Sequence, residues 1–256
     1  MDITMKNRLA HVLFPAALLS LVPCAHAADA EVTPYRPGAG SPAVLSATGY
    51  FELEAGYDYA KVDAARSDAI GLLLKYGLSD NLGLMVGVNP YVRVKAFGAS
   101  DSGVSDSSLG LKWVSKLGDT HAIGVQLVTT LPTGSSGFGS DKPNLTLTGL
   151  AGFDFAGMHS DVNLGLTRFG DAVPGVARNR FNWSVSLGRP LFGAWSGALE
   201  LSGAKQSGAG SSTQYLGALA YAVNKQLVLD AYYAHARASG VSGNGLGVGM
   251  TYLFAK

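Results

Sequence analysis

Residues 48–60 read TGYFELEAGYDYA, a stretch in which two kinds of side chain alternate strictly. The odd positions from Phe51 to Tyr59 are apolar or aromatic, whereas the even positions between them are acidic or glycine. Successive side chains of a β-strand point in opposite directions, so this repeat of two places the two sets on opposite faces. The stretch therefore predicts a strand with one apolar face and one polar face.

The same alternation recurs along the chain and predicts twelve strands of about ten residues, the length that a tilted strand needs to cross a bilayer. They fall at 48–60, 67–77, 82–94, 109–113, 123–131, 145–154, 161–169, 181–187, 195–204, 213–221, 227–236 and 246–254. An open sheet edge in hydrocarbon would leave backbone groups unpaired, so the strands have to close on one another. The sequence predicts an all-β fold, a transmembrane antiparallel up-and-down β-barrel of about 12 strands over residues 48–256.

The composition separates this fold from its competitors. No stretch after the N-terminus reaches 18 uninterrupted apolar residues, which excludes a helical membrane protein. A soluble β-sandwich also has alternating strands, but it normally exposes charged residues. Here only 14% of the residues are charged, and the polar face is mainly Gly, Ser, Thr and Asn, as suits the inside of a narrow barrel.

The N-terminus has the features of a cleaved signal peptide over residues 1–27. Lys6 and Arg8 precede an apolar run that is too short to span a membrane, and Ala25-His26-Ala27 gives the small-x-small cleavage pattern. A lipoprotein signal ending before Cys24 is the alternative, which Pro23 disfavours. Cleavage would remove the only cysteine and leave equal numbers of basic and acidic residues, which gives no support for nucleic-acid binding.

Residues 28–47 contain Pro34, Pro37 and Pro42 and are predicted to form a non-strand, periplasmic N-terminal lead. Whether this lead enters the barrel as a plug stays open. The predicted connections alternate between five tight turns and six longer segments rich in Gly and Ser. Outer-membrane barrels have short periplasmic turns and long extracellular loops, so the termini are predicted to lie on the periplasmic side. The longer segments are 61–67, 96–104, 132–144, 169–180, 205–212 and 237–243.

Three passages resemble a known family: VSDSSLGLKW at 104–113, LPTG at 131–134 and GVGMTYLF at 247–254. They are similar to strands of the outer-membrane family associated with the MetA pathway of phenol degradation. This resemblance implies a transporter of small compounds, often aromatic or hydrophobic, in the outer membrane of a Gram-negative bacterium. The chain departs from the usual barrel terminus, because Ala255 and Lys256 follow the aromatic Phe254.

The parity of the strands predicts which side chains line the lumen. They are Glu52, Glu54, Asp58, Lys75, Arg93, Lys95, Lys112, Gln126, Asp154, Glu200 and Asp230. A symmetric first hairpin places Glu52 opposite Lys75, and such pairs are a sensible way to hold charge in a barrel wall. One hypothesis is that Arg93, Lys95 and Lys112 face acidic residues and set a transverse field. The alternative is a structural charge network that plugs the barrel.

No set of residues predicts catalysis, a cofactor or a metal site. His235 lies near Ser239 and Ser242, but a nucleophile motif is absent and three dispersed His residues do not make a metal cluster. The sequence therefore predicts a pore or transporter that passes small solutes through a polar lumen. The alternative is a closed structural barrel whose loops bind a partner or lipopolysaccharide, for which Arg168, Asp171, Arg178 and Arg180 are candidates.

Overall fold

The computed structural model describes residues 30–254, and the predicted signal peptide lies outside the described residues. Thirteen β-strands follow one another along this part of the chain. They are β1 (Phe51–Val62), β2 (Ala65–Ser79), β3 (Leu82–Ala96), β4 (Ala99–Gly103), β5 (Ser107–Lys116), β6 (His121–Leu131), β7 (Asn144–Phe155), β8 (Met158–Arg168), β9 (Asn179–Pro190), β10 (Trp195–Gln206), β11 (Gly210–Asn224), β12 (Leu227–Ala238) and β13 (Val241–Leu253).

Twelve of these strands form a closed antiparallel barrel. Each pairs with its neighbour in sequence, and β1 pairs with β13 from Glu52 opposite Leu253 to Val62 opposite Gly243. The short β4 pairs only with the end of β3, and β5 is the barrel neighbour of β3. Closure leaves no edge strand without a partner, so the predicted barrel of twelve strands is confirmed.

The connections define two rims. The short-turn rim has connections of two to four residues at 80–81, 117–120, 156–157, 191–194 and 225–226. The long-loop rim has 132–143 and 169–178 as its longest loops, and β4 lies within the connection from β3 to β5. The prediction of six longer loops is wrong at 61–67, 205–212 and 237–243, where the strands continue to turns of two or three residues. Asp63 and Ser239 adopt φ values of 50° in two of these turns, as tight hairpin turns require.

The wall of the barrel is apolar outside and polar inside, the reverse of a soluble domain. Its largest fully buried side chains include Lys75, Lys112 and Glu52. Many leucines, valines and aromatic residues are exposed on the outer face. Aromatic rings pair near the short-turn rim, with ring centroids 4.5 Å apart for Phe51 and Tyr76 and 5.1 Å apart for Tyr252 and Phe254. Such a distribution suits a wall in contact with hydrocarbon, with an interfacial aromatic belt.

A β-bulge in β3 corrects part of the lumen prediction. The register between β2 and β3 shifts between Ile70 opposite Tyr91 and Leu72 opposite Val88, so β3 has an extra residue around Pro90. One extra residue reverses which side chains face inward. The prediction that Arg93 and Lys95 line the lumen is therefore wrong, because both lie on the outer face.

The partners of Arg93 agree with this placement. Its guanidinium lies 2.7 Å from Asp68 Oδ2, and Asp68 accepts a hydrogen bond from the hydroxyl of Tyr57, an outward-facing residue of β1. The hypothesis of a transverse field that includes Arg93 and Lys95 fails for the same reason. Within residues 30–254, no helix is long and apolar enough to cross a membrane.

Candidate functional site

Residues 30–47, called the plug below, lie inside the barrel. The chain enters at the short-turn rim, where Val32 N donates to the carbonyl of Lys225 over 2.9 Å. It returns to the same rim, where Gly49 N donates to the carbonyl of Gly77 over 2.7 Å, and then continues into β1. The segment that the sequence predicts as a periplasmic lead is thus a hairpin-shaped insertion into the lumen.

The base of the plug surrounds a buried ammonium group. Lys75 Nζ lies 2.8 Å from Glu52 Oε2 and 2.7 Å from Glu54 Oε1, and it donates to the carbonyl of Thr33 over 2.5 Å. The predicted alignment of Glu52 opposite Lys75 is confirmed. The ring of Tyr35 lies 3.9 Å from this ammonium and 3.6 Å from that of Lys112. The face of an aromatic ring attracts cations, so Tyr35 helps to hold two like charges that would otherwise repel.

Carboxylates of the wall accept backbone N–H groups of the plug. Glu54 accepts from Tyr35 N over 2.6 Å, and Glu200 accepts from the amides of Ala39 and Gly40 over 3.0 Å each. Asp161 accepts from Ala43 N over 2.9 Å. An irregular chain inside a barrel needs partners for its N–H groups. The prolines at 34, 37 and 42 carry no N–H, and the wall supplies acceptors for the amides between them.

The tip of the plug makes further contacts with the wall. Arg36 lies 3.4 Å from Asp230 and 3.9 Å from Asp58. Ser41 donates through its backbone N to the side chain of Asn163 over 2.6 Å, and its hydroxyl donates to Gln126 over 2.8 Å. Lys112 in turn donates to Ser41 Oγ over 2.9 Å. The plug is therefore attached along its length by hydrogen bonds and ion pairs.

The structure brings most of the predicted lumen residues together around the plug. Those that contact it are Glu52, Glu54, Asp58, Lys75, Lys112, Gln126, Glu200 and Asp230. Asp154 lies apart from them at the short-turn rim, 2.7 Å from His159 Nδ1.

The sequence analysis missed five residues that complete this arrangement: Tyr35, Arg36, Asp161, Asn163 and Tyr232. Asp161 and Asn163 alternate with apolar neighbours in β8, so the sequence pattern could have identified these two. Nothing local indicates that the proline-rich lead supplies Tyr35 and Arg36. Tyr232 donates to Asp58 over 2.6 Å, a contact that depends on the closure of the barrel.

Cavities lie on both sides of the plug, and a further one of about 370 Å³ lies beside Arg36 and Asp58. The cavity towards the long-loop rim, called the vestibule below, has a volume of about 520 Å³. Its lining includes Ala39 and Ser41 of the plug, and a single charged side chain, that of Arg180. The remaining polar lining is neutral: Gln126, Thr146, Thr148, Asn163, Thr167, Asn182, Ser184, Ser202, Ser212, Thr213 and Gln214.

The second cavity, of about 580 Å³, lies towards the short-turn rim beside Pro34, Pro42 and Asp154. The plug thus occupies the lumen between these two cavities. Each of them is large enough to hold a small solute.

The half-buried carboxylate of Asp106 connects two loops above the vestibule. Asp106 accepts hydrogen bonds from Gly134 N over 3.0 Å, from Ser140 N over 2.9 Å and from the Ser140 hydroxyl over 2.5 Å. Burial acts to raise the pKa of Asp106, but the hydrogen bonds from Ser140, Gly134 and Thr133 outweigh it and hold the pKa below its usual 3.8. The family-like LPTG passage at 131–134 is part of this contact.

The structure does not pair the His and Ser residues that the sequence analysis considered. His235 Nδ1 lies 2.8 Å from Asn244, and the Ser239 hydroxyl donates to the carbonyl of Ala209. Among residues 30–254, no group of three or more His, Cys, Asp or Glu side chains is placed to hold a metal ion. Of the candidates for lipopolysaccharide, Arg180 faces the vestibule instead of the membrane.

A closed barrel with an apolar exterior, a polar lumen and an internal N-terminal segment has the fold of an outer-membrane channel. The structure is similar to that of an outer-membrane channel from Pseudomonas putida F1, with a TM-score of 0.68, 13% identity, and coverage of 89% of this chain and 98% of that one. The NanC porin gives a TM-score of 0.61 at 10% identity, covering 78% of this chain and 98% of that one. The CymD monoaromatic hydrocarbon channel gives 0.52 at 10% identity, covering 82% and 89%.

The chain belongs to the family described as "Putative MetA-pathway of phenol degradation", whose model matches residues 36–254. The match begins at Arg36, so it includes most of the plug as well as the barrel. This result confirms the family resemblance inferred from the three short passages. No curated protein matches the sequence.

Proposed function

We propose that this chain is an outer-membrane channel of a Gram-negative bacterium, exported by a signal peptide that is cleaved after residue 27. In this proposal the barrel passes small solutes through its lumen when the plug leaves its docked position. The observation that carries the proposal is a polar lumen that continues on both sides of a segment held mainly by hydrogen bonds and ion pairs. The short-turn rim and both termini would lie in the periplasm.

The way in which the plug is attached supports movement. The barrel wall closes by its own backbone ladder from β1 to β13, which does not involve residues 30–47. The plug contributes few large apolar side chains, and most of its hydrogen bonds run to charged groups of the wall, each worth about 1.5–3 kcal/mol. Release of the plug would break these contacts and leave the backbone ladder of the barrel intact.

The lining of the vestibule indicates the class of solute. Neutral hydroxyl and amide groups, such as those of Thr148 and Asn182, form hydrogen bonds without holding a charged solute in place. Arg180 adds one positive charge that favours carboxylates or phenolates. The family description and the cargo named for the CymD channel both suggest monoaromatic compounds. We therefore infer a small aromatic solute with a hydroxyl or carboxylate group.

Planar-bilayer recording of protein purified from outer membranes tests this proposal. Discrete current steps that 4-hydroxybenzoate interrupts, and that an equal concentration of gluconate does not, would support a channel with an aromatic-acid site. A heat-modifiable barrel that gives no steps under any voltage would contradict passage. That second result would favour the closed barrel whose loops bind a partner.

A further inference from the structure

Three basic side chains form a row across the outer face of the barrel. Lys61 of β1 lies directly opposite Arg66 of β2, and Arg66 lies directly opposite Lys95 of β3. All three are exposed. The bulge around Pro90 creates this row, because without it Lys95 would face the interior. Alternation in the sequence alone therefore does not predict this row.

No ion pair within residues 30–254 neutralises the row, because none of the three side chains lies within 4.0 Å of a carboxylate oxygen there. Asp68 lies on this face and its charge also acts on Lys95, but it already binds the guanidinium of Arg93 at 2.7 Å and the hydroxyl of Tyr57. Like charges directly opposite each other in a sheet are destabilising. A row of three therefore needs a compensating anion.

The row lies at the height of a lipid headgroup. Ten residues of β1 separate Lys61 from Phe51 at the opposite aromatic belt, which for a tilted strand corresponds to about 25 Å, the height of the apolar band of such barrels. Tyr57, Tyr59 and Tyr91 lie just below the row on the same face. The next outward positions on β13 and β12 are Asn244 and His235, which extend the polar surface sideways.

We propose that Lys61, Arg66 and Lys95 bind the phosphate groups of lipopolysaccharide in the outer leaflet. Two phosphates on one lipid A glucosamine disaccharide match a row of cations on neighbouring strands, since each phosphate accepts charge-assisted hydrogen bonds from more than one of them. The inference depends on the proposed outer-membrane location and orientation, but not on passage of a solute. The row anchors one side of the barrel in the lipid leaflet.

The opposite wall provides a comparison. Lys205 of β10 also faces outward near the long-loop rim, but its cross-strand neighbours are Phe181 and Ser211. Arg168 of β8 has Leu145 and Asn179 as neighbours. These cations are isolated along their strands, so we expect them to contribute only general attraction to an anionic surface.

Native mass spectrometry of delipidated protein, titrated with bisphosphorylated lipid A, tests the site. The variant Lys61→Gln/Arg66→Gln/Lys95→Gln should bind lipid A more weakly by roughly tenfold or more. The control Arg168→Gln/Lys205→Gln removes two outward-facing charges from the opposite side and should bind almost as the unmodified protein does. Monophosphorylated lipid A should bind the unmodified protein less tightly and should not distinguish it from the first variant.

Equal losses in the row variant and the control variant, or no loss in the row variant, would overturn the proposal. Thermal unfolding in lipid-free detergent provides a second measurement. Removal of the row should leave the barrel equally stable or more stable there, because like-charge repulsion is relieved, while lipid A should no longer raise its unfolding temperature. Conductance is recorded separately, so a failed lipid A site and a failed channel give different results.

Discussion

The part of the lumen that the plug occupies, called the plug region below, is rich in charged side chains, whereas the vestibule below the long loops is nearly neutral. In the plug region, Lys75 touches Glu52, Glu54 and the plug within 2.8 Å. In the vestibule, Arg180 is the charged residue among hydroxyl and amide side chains. Charged side chains occur where they pair with one another or with the plug, and neutral polar groups line the space that we propose a solute occupies.

Physical chemistry explains the division. A charge held away from water is costly unless it is paired. The carboxylates and ammonium groups of the plug region therefore stabilise the plug, and the plug in turn supplies hydrogen-bond partners to them. A solute in transit cannot supply such fixed partners. A neutral lining that forms weak hydrogen bonds allows it both to enter and to leave. In the proposed channel, this difference assigns control of passage to the plug and selection of the solute to the vestibule.

The largest effect on the open fraction of the channel is expected from Lys75→Met, which removes the cation at the base of the plug. Glu52, Glu54 and the Thr33 carbonyl would lose their shared partner, and breaking a buried ion pair costs about 3 kcal/mol. The open fraction in planar bilayers should rise by about a hundredfold. The variant Lys95→Met makes the same change on the outer face and should leave gating as it is. An equal open fraction in the two variants would contradict a role for the charges of the plug region in holding the plug.

A moderate effect is expected from Arg180→Gln in the vestibule. Loss of the positive charge should reduce the preference for anions about fivefold, as read from the reversal potential in a salt gradient. Gating should not change, because Arg180 contacts Asn182 and not the plug. Arg168→Gln on the outer wall is the matched control. An unchanged reversal potential for Arg180→Gln would show that the vestibule does not set selectivity.

The smallest effect is expected at the loops, through Asp106. Its pKa is depressed in the folded protein, so the stabilisation that it contributes is present above the usual value of 3.8 and is lost as the pH falls through the lower, folded value. Asp106→Asn should reproduce the acidic state at neutral pH and speed hydrogen exchange at Gly134 and Ser140. Asp101→Asn, in β4, is the control. Faster hydrogen exchange of the plug amides in Asp106→Asn as well would show that the loops above the vestibule and the plug are coupled.

Much of this architecture is predictable from sequence because alternation reports directly on the two faces of a strand. The pairing of Glu52 with Lys75 follows from parity and a tight turn. Arg93 and Lys95 are misassigned because one extra residue near Pro90 reverses the parity, and a bulge has no reliable local pattern.

Two of the three loops predicted too long, 205–212 and 237–243, are rich in Gly and Ser, which fit both a turn and a narrow barrel. The third, 61–67, contains no Gly, and its basic residues belong to strands that continue to a two-residue turn.

The plug is the part of the structure that the sequence predicts least well. Proline explains why residues 30–47 form no strand, but not where they lie. Their position depends on acceptors from β1, β8 and β10, which come together only when the barrel closes. The role of Tyr35 between Lys75 and Lys112 is likewise a property of the assembled lumen.

A reversible disulfide between the plug and the wall tests most directly whether the plug controls passage. A Cβ added at Gly152 would lie 3.2 Å from that of Ala43, close to the separation that a disulfide spans, and the chain after residue 27 has no other cysteine. Single-channel recording of Ala43→Cys/Gly152→Cys should show no openings when oxidised and recover openings after reduction, while each single variant should be insensitive to reductant. Equal conductance in the oxidised and reduced states, with the disulfide verified by mass spectrometry, would contradict gating by the plug.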